Sequence, residues 1–149
     1  MYETVVWATD ASHIADDALP EALRVLEPGG RLLVFHCDER FPGSRTGGTP
    51  VLADEADRRA KLHEQVEDMV ERGIDAVLFV ETTHHNAAVE IARFASDQHA
   101  EAIVCGSRGQ GAVTGTLTGS VAMRLPHFAT CPVIVVSERA AARHAAPVR

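Results

Sequence analysis

The sequence predicts an α/β domain built on a five-stranded parallel sheet with helices on both faces, in a flavodoxin-like or related doubly wound order. Two observations carry this. The apolar runs Thr4 to Ala8, Leu32 to Phe35, Ala76 to Val80, Ala102 to Cys105 and Val133 to Val136 are rich in Val, Ile and Leu and do not alternate with polar residues. Strands of that kind are buried on both faces, as in parallel sheets. Between them lie segments with apolar residues at helical spacing, and strand alternating with helix folds through right-handed crossovers. Ligands of such sheets bind beyond the carboxyl ends of the strands.

Taken in order, the first strand leads to Ser12, a good N-cap. Ala15, Ala18, Leu19, Ala22, Leu23 and Leu26 then form one apolar helix face. Pro20 interrupts it, and an interior proline costs ~3 kcal/mol, so a kink is expected in the preceding turn. A helix beginning at Pro20 instead would lack a capping residue, because Leu19 precedes it. Gly29-Gly30 should close the segment before the second strand. Residues 38–53, with Pro42, Gly43, Gly47 and Gly48, read as a long mobile loop. A helix follows from about Asp54 to Arg72, with the acid–base pairs Asp54/Arg58, Glu55/Arg59 and Asp57/Lys61 four apart, read as a solvated face. Asn86 should cap a helix through about Gln98, packed by Val89, Ile91 and Phe94, and a last helix should span Gly119 to Pro126. Residues 1–137 thus form one domain, and 138–149 read as a tail that frays.

Composition narrows the function. At 149 residues and 46% hydrophobic, the chain can bury a sizeable core. A net charge of −7 argues against a nucleic-acid partner, because phosphate backbones are gripped by clustered Lys and Arg. No apolar stretch approaches the ~20 residues of a membrane span, and Met1-Tyr2-Glu3-Thr4 lacks the basic flank of a signal peptide. Three irregularly spaced cysteines make neither a disulfide framework nor a zinc pattern. A cytoplasmic protein is expected.

The chemistry concentrates in Gly106-Ser107-Arg108-Gly109 and, nine residues further on, Gly119-Ser120-Val121. The stretch leaves a strand, passes through a glycine- and threonine-rich loop, and ends where a helix starts. Glycines permit close approach to the main chain, and a helix N-terminus favours anions. Such a loop suits a phosphate; the alternative is a surface loop with no ligand. A Walker A loop is excluded because the only lysine, Lys61, lies far away in sequence. A Rossmann fingerprint is excluded because the first strand-to-helix turn, Thr9-Asp10-Ala11-Ser12, has no glycine.

The spacing G-x2-G-x9-G-S resembles the nucleotide-binding signature of the universal stress protein family, and the resemblance extends over most of the chain. It implies an adenine nucleotide alpha hydrolase-like fold. It also implies an adenine nucleotide as cofactor, ATP first among them, with or without Mg2+. Gly106, Gly109, Gly119 and Ser120 match the family's phosphate and ribose contacts, with Ser107 adding a hydroxyl and Val121 a backbone N–H. Arg108 is either a phosphate-reaching cation or a solvent-facing arginine. Position alone leaves Asp10 as either a ligand carboxylate or a turn aspartate assisting Ser12. The stretch Ala8-Thr9-Asp10 resembles the family's first strand end, where the equivalent aspartate lies at the nucleotide. Cys37 and Cys105 end the second and fourth strands, and the resemblance puts their backbones along the adenine or ribose. Their thiols are expected to behave as small hydrophobes.

One departure stands out. Where the family commonly has a Gly-x-Pro turn after the third strand, this chain reads His85-Asn86-Ala87. A bulkier turn there could crowd a base. His84 and His85 are read as a surface pair and not as a metal site. The resemblance further implies a homodimer paired through the apolar edge strand Val133-Ile134-Val135-Val136, exposed unless covered. The function expected is a nucleotide-binding stress or signalling module acting on a protein partner still to be identified. An adaptor without nucleotide and a slow ATP hydrolase are the alternatives. No nucleophile–base pair or acidic metal cluster is readable from spacing. A response regulator is set aside because Glu81-Thr82 ends the third strand and Ser137-Glu138 the fifth. A flavodoxin is set aside because its first loop would be richer in hydroxyls.

Overall fold

The computed structural model describes residues 1–39, 50–107 and 119–137. In chain order its elements are β1 (Tyr2–Ala8), α1 (His13–Asp16), α2 (Leu19–Val25), β2 (Leu26–Glu39), α3 (Pro50–Glu71), β3 (Asp75–Thr83), α4 (Ala87–Asp97), β4 (Ala102–Gly106), α5 (Ser120–Phe128) and β5 (Val133–Val136). All five expected strands form, and every pairing is parallel, in the order β3-β2-β1-β4-β5. This is the related doubly wound order 3-2-1-4-5, not the 2-1-3-4-5 of flavodoxin. The direction of winding reverses between β1 and β4.

Side chains alternate across the sheet and divide the core in two. Val5, Trp7, Leu32, Val34 and Val104 face α2 and α3, where they meet Ala18, Ala22, Leu62 and Met69. Val6, Ala8, Leu33, Phe35 and Ile103 face α4 and α5, where they meet Ala88, Ile91, Phe94, Ala122 and Leu125. Phe94 stacks on Phe35 at 4.3 Å and contacts Phe79 at 4.9 Å between ring centroids. Burial on both faces holds for the central strands. The edge strands β3 and β5 instead expose Val77 and Val135, because each lacks a neighbour on one side.

Several local expectations are revised. The first helix is not kinked but broken: α1 ends at Asp16, and α2 starts at Leu19 with Pro20 in its first turn. There the missing proline N–H is one that no helix would pair. The missing cap weighed against a fresh start at Pro20 did not prevent one at Leu19, whose N-cap residue Ala18 offers no side-chain cap either. Gly29 and Gly30 lie inside β2, beside the shift in β1–β2 register between Tyr2 and Thr4. Gly29 has φ +82, and a Cβ on Gly30 would come within 2.7 Å of the Glu3 carbonyl oxygen. The loop expected over 38–53 loses both ends, since β2 runs to Glu39 and α3 begins at Pro50. Residues 40–49 and the tail at 138–149 lie outside the described residues. Val89 is solvent-exposed, whereas Ile91 and Phe94 are buried as expected. The last helix runs through Pro126 to Phe128.

Candidate functional site

The site grows out of the reversal point. Ala8 is in register with Cys105 across β1 and β4, and Gly106 with Val136 across β4 and β5. The backbone leaves β1 through a turn tied down bond by bond. Thr9 N–H donates to the Phe35 carbonyl at 3.0 Å, extending the β1–β2 ladder by one step. The Thr9 hydroxyl accepts from Ala11 N–H at 3.0 Å, and the Asp10 carboxylate accepts from Ser12 N–H at 3.0 Å. Ser12 Oγ then caps α1 by accepting from Ala15 N–H at 3.2 Å. Asp10 therefore does what a turn aspartate does. Ala11 sits at φ +62, a left-handed conformation uncommon for a residue with a Cβ. Trp7 Nε1–H donates to the Ala15 carbonyl at 3.2 Å and fastens α1 to the sheet.

Across the reversal point, Ser107 N–H donates to the Val136 carbonyl at 2.8 Å, and Gly119 N–H donates to the Ser107 carbonyl at 2.5 Å. The two ends of the glycine loop thus meet at the carboxyl edge of β4. Arg108 and Gly109 lie outside the described residues. Gly119 is the N-cap of α5 and supplies no side chain to it. The first intrahelical bond runs from Met123 N–H to the Gly119 carbonyl, so the amides of Ser120, Val121 and Ala122 have no partner within the helix. Ser120 is exposed, Gly119 and Val121 are half-buried, and Ser107 is buried.

The β2 end has the opposite polarity. Cys37 pairs with Glu81 across β2 and β3. Burial, followed by the charges of Glu39, Glu90, Glu81 and Asp38, pushes its thiol up to about 12. Burial alone does the same to Cys105. Both behave as small hydrophobes, as their composition suggests. Carboxylates thus surround Cys37, Glu81 and Glu90 among them paired with Arg93, while across the reversal point α5 presents its N-terminus.

At the departure His85-Asn86-Ala87 the turn is held by its own side chains. Thr83 Oγ1 accepts from His85 N–H at 3.0 Å, and Asn86 caps α4 by accepting from Ala88 N–H at 2.9 Å. His84 and His85 are exposed. Among the described residues, no three His, Cys, Asp or Glu side chains converge as metal ligands.

Three residues escaped the sequence reading: Glu55, His36 and Lys61. Glu55, read as part of a solvated face, is buried, and its carboxylate lies 2.9 Å from Nε2 of the equally buried His36. Its expected partner Arg59 does bind it, at 3.0 Å. The signal was the step of seven from Glu55 to Leu62 to Met69, all buried on one face of α3. Lys61 does not pair with Asp57. It donates to the Ala11 carbonyl at 2.8 Å and to Asp16, so it is committed to the turn after β1.

Comparison with known proteins agrees with this architecture. The profile of the universal stress protein family matches residues 1–137. A universal stress protein of Thermus aquaticus, from the QAH/OAS sulfhydrylase 3′ region, is 33% identical over 142 residues, covering 91% of this chain and 99% of that one. The crystal structure of a universal stress protein in complex with cAMP is 25% identical with a TM-score of 0.64, covering 91% of this chain and 97% of that one. A universal stress protein from Archaeoglobus fulgidus is 26% identical with a TM-score of 0.64, covering 91% of this chain and 93% of that one. With a shared sheet and a family match running from its first residue to the end of β5, the chain belongs to the universal stress protein family.

Proposed function

We propose that this chain binds an adenine nucleotide, with ATP first among the candidates, and works as a homodimeric signalling module. The observation that carries the proposal is the Gly119–Ser107 bond, which sets the N-terminus of α5 at the reversal point of the sheet. The 25% identical relative solved in complex with cAMP supports the same ligand class. In this reading Gly106, Ser107, Arg108, Gly109, Gly119, Ser120 and Val121 take the phosphates and ribose. Ala8, Thr9, Asp10, Cys37 and Cys105 line the base and ribose side.

The chain's own residues hold the nucleotide and offer little for its cleavage. Phosphoryl transfer is driven by cations placed at the developing charge. The single lysine is bound to Ala11 and Asp16, which leaves Arg108 and any Mg2+ that arrives with the nucleotide. Hydrolysis, if any, is slow, and the output is a change of shape or partner set by occupancy.

Thermal unfolding with magnesium-ATP, ADP, AMP and cyclic AMP tests this, with Gly119→Asp as the control. Gly119 has φ −70, so aspartate fits its backbone and would cap α5 itself, keeping the fold while placing a carboxylate where phosphate would bind. Ligand at ~100 times its dissociation constant stabilises by ~2.7 kcal/mol, a midpoint shift on the order of 5–10 °C. The expected result is that shift in the wild type and none in the variant. No shift with any nucleotide would leave a dimeric adaptor of the same fold.

A further inference from the structure

The carboxyl end of β2 carries a polar group that the nucleotide reading does not use. His36 is 1% exposed and Glu55 6%, between the sheet and α3. His36 Nδ1 lies 3.0 Å from the Thr9 carbonyl oxygen, and Nε2 lies 2.9 Å from Glu55 Oε1. A carbonyl oxygen only accepts, so Nδ1 carries a hydrogen. A second proton lies between Nε2 and the carboxylate, since two bare acceptors would repel at that distance. Arg59 Nε donates to the same carboxylate oxygen at 3.0 Å, and Arg58 lies 3.8 Å from the other. Arg59 also lies 3.9 Å from Asp38 on β2.

Burying such a group is costly unless it does something that an apolar residue of the same volume could not. What it does is reach the turn after β1. Thr9 is the last residue on the β1–β2 ladder, and its carbonyl is the next acceptor along, with no strand partner beyond it to receive. Two residues later, Lys61 holds the Ala11 carbonyl. Helix α3 thus grips both ends of the left-handed step at Ala11, through Glu55 and His36 at one end and through Lys61 at the other.

We propose that His36 is a positioning residue for the nucleotide site: its Nδ1–H fixes the Thr9 carbonyl and so sets where Asp10 stands, and Glu55 on α3 holds the imidazole in that orientation. The proposal rests on the nucleotide reading and goes beyond it by making α3 a part of the site without touching the ligand. A shift of α3 would reach the crevice through this link, and occupancy would reach α3 by the same path.

The test separates the two ends of the ring. In His36→Asn the amide nitrogen stands where Nδ1 was and keeps the bond to Thr9 while losing Glu55. In His36→Gln it stands where Nε2 was and keeps Glu55 while losing Thr9. Both remove the same ring, so a purely structural role would make them equally damaging. Glu55→Gln is the conservative partner, because its amide can donate to Nε2 and leave Nδ1–H in place. Magnesium-ATP and cyclic AMP are titrated by calorimetry, and amide exchange at Ala11 and Ser12 is followed without nucleotide. The expected result is at least about a tenfold loss of affinity and tenfold faster exchange in His36→Gln, with His36→Asn and Glu55→Gln within about threefold of wild type. Equal behaviour of the two His36 variants in both measurements overturns the proposal. A wild type that binds neither nucleotide overturns the reading of the site instead. In that case the exchange rates still decide whether His36 holds the turn.

Discussion

The thiols at the ends of β2 and β4 show how a strand end becomes chemically quiet. Cys37 and Cys105 rise from 9.0 to about 12, first through burial and, for Cys37, then through four carboxylates. The thiolate is the reactive form, so at about pH 8 its population falls on the order of 1000-fold below that of an unshifted thiol. Alkylation by iodoacetamide, followed by mass spectrometry, should be at least about 100-fold slower at Cys105 in the folded protein than in urea. A comparable rate in both would mean that the β4 end opens to solvent. The same shift has a sign in stability. The fold favours the neutral thiol, so this contribution is complete below pH 9 and is lost as the pH climbs from 9 towards 12. Sequence could place Cys105 where its apolar run stops, but it put Cys37 at a strand end, whereas β2 runs two residues further to Glu39. It could not supply the carboxylates around Cys37, which converge from β2, β3 and α4. His36 was harder still. It sits within the observed strand and one residue past the apolar run, but its partners come from a turn and a helix far along the chain.

At the scale of elements, the apolar runs gave all five strands, and the caps at Ser12 and Asn86 gave helix starts, because each signal is local. The failures have physical reasons as well. A proline inside an apolar helix pattern can be met by a kink or by a fresh start, and the choice depends on packing of Ala18 and Ala22 against the sheet. Gly29-Gly30 resembles a helix stop, yet its use is a close crossing of strands at the start of β2. That crossing makes a prediction. An added Cβ at Gly30 would meet the Glu3 carbonyl oxygen at 2.7 Å and the Glu27 carbonyl oxygen at 3.0 Å, both backbone atoms that cannot swing away. Gly30→Ala should therefore destabilise the protein by about 1–3 kcal/mol in chemical denaturation. Gly29→Ala loses stability through φ +82 alone, about 1–2 kcal/mol, since nothing lies near its Cβ. If Gly30→Ala proves as stable as wild type, β1 and β2 do not cross as closely as the register shift between Tyr2 and Thr4 implies.

At the scale of the whole molecule, the sheet has two edges, and they are not equivalent. On the β3 side, Arg93 of α4 pairs with Glu81, Glu90 and Asp97, so charge lies over that margin. On the β5 side, Val135 is 40% exposed, with the exposed Met123 and Phe128 on α5, the helix that leads into this strand. An uncovered apolar edge invites another strand, while charge on an edge discourages one. Val77 is exposed on β3 as well, but the charge beside it supports placing the proposed dimer at Val133–Val136, where the family resemblance puts it. Lysine at Val135 should abolish pairing while leaving the fold intact, because the position is not enclosed by the core. Light scattering at micromolar concentration should give a dimer for wild type and a monomer for Val135→Lys, with unchanged circular dichroism. A wild type that stays monomeric across that range would remove the dimer from the proposal. A variant that stays dimeric would move the interface elsewhere. Because β5 pairs with β4, and its Val136 carbonyl accepts from Ser107 at the loop base, pairing at this edge is one bond from the proposed phosphate site. Occupancy and dimerisation should therefore be linked: a ligand that tightens the dimer must bind its sites more tightly, the dimer at saturation gaining the product of the two sites' factors. Repeating the scattering with magnesium-ATP measures that product, and a dissociation constant unmoved by saturating nucleotide would show that the two events are independent.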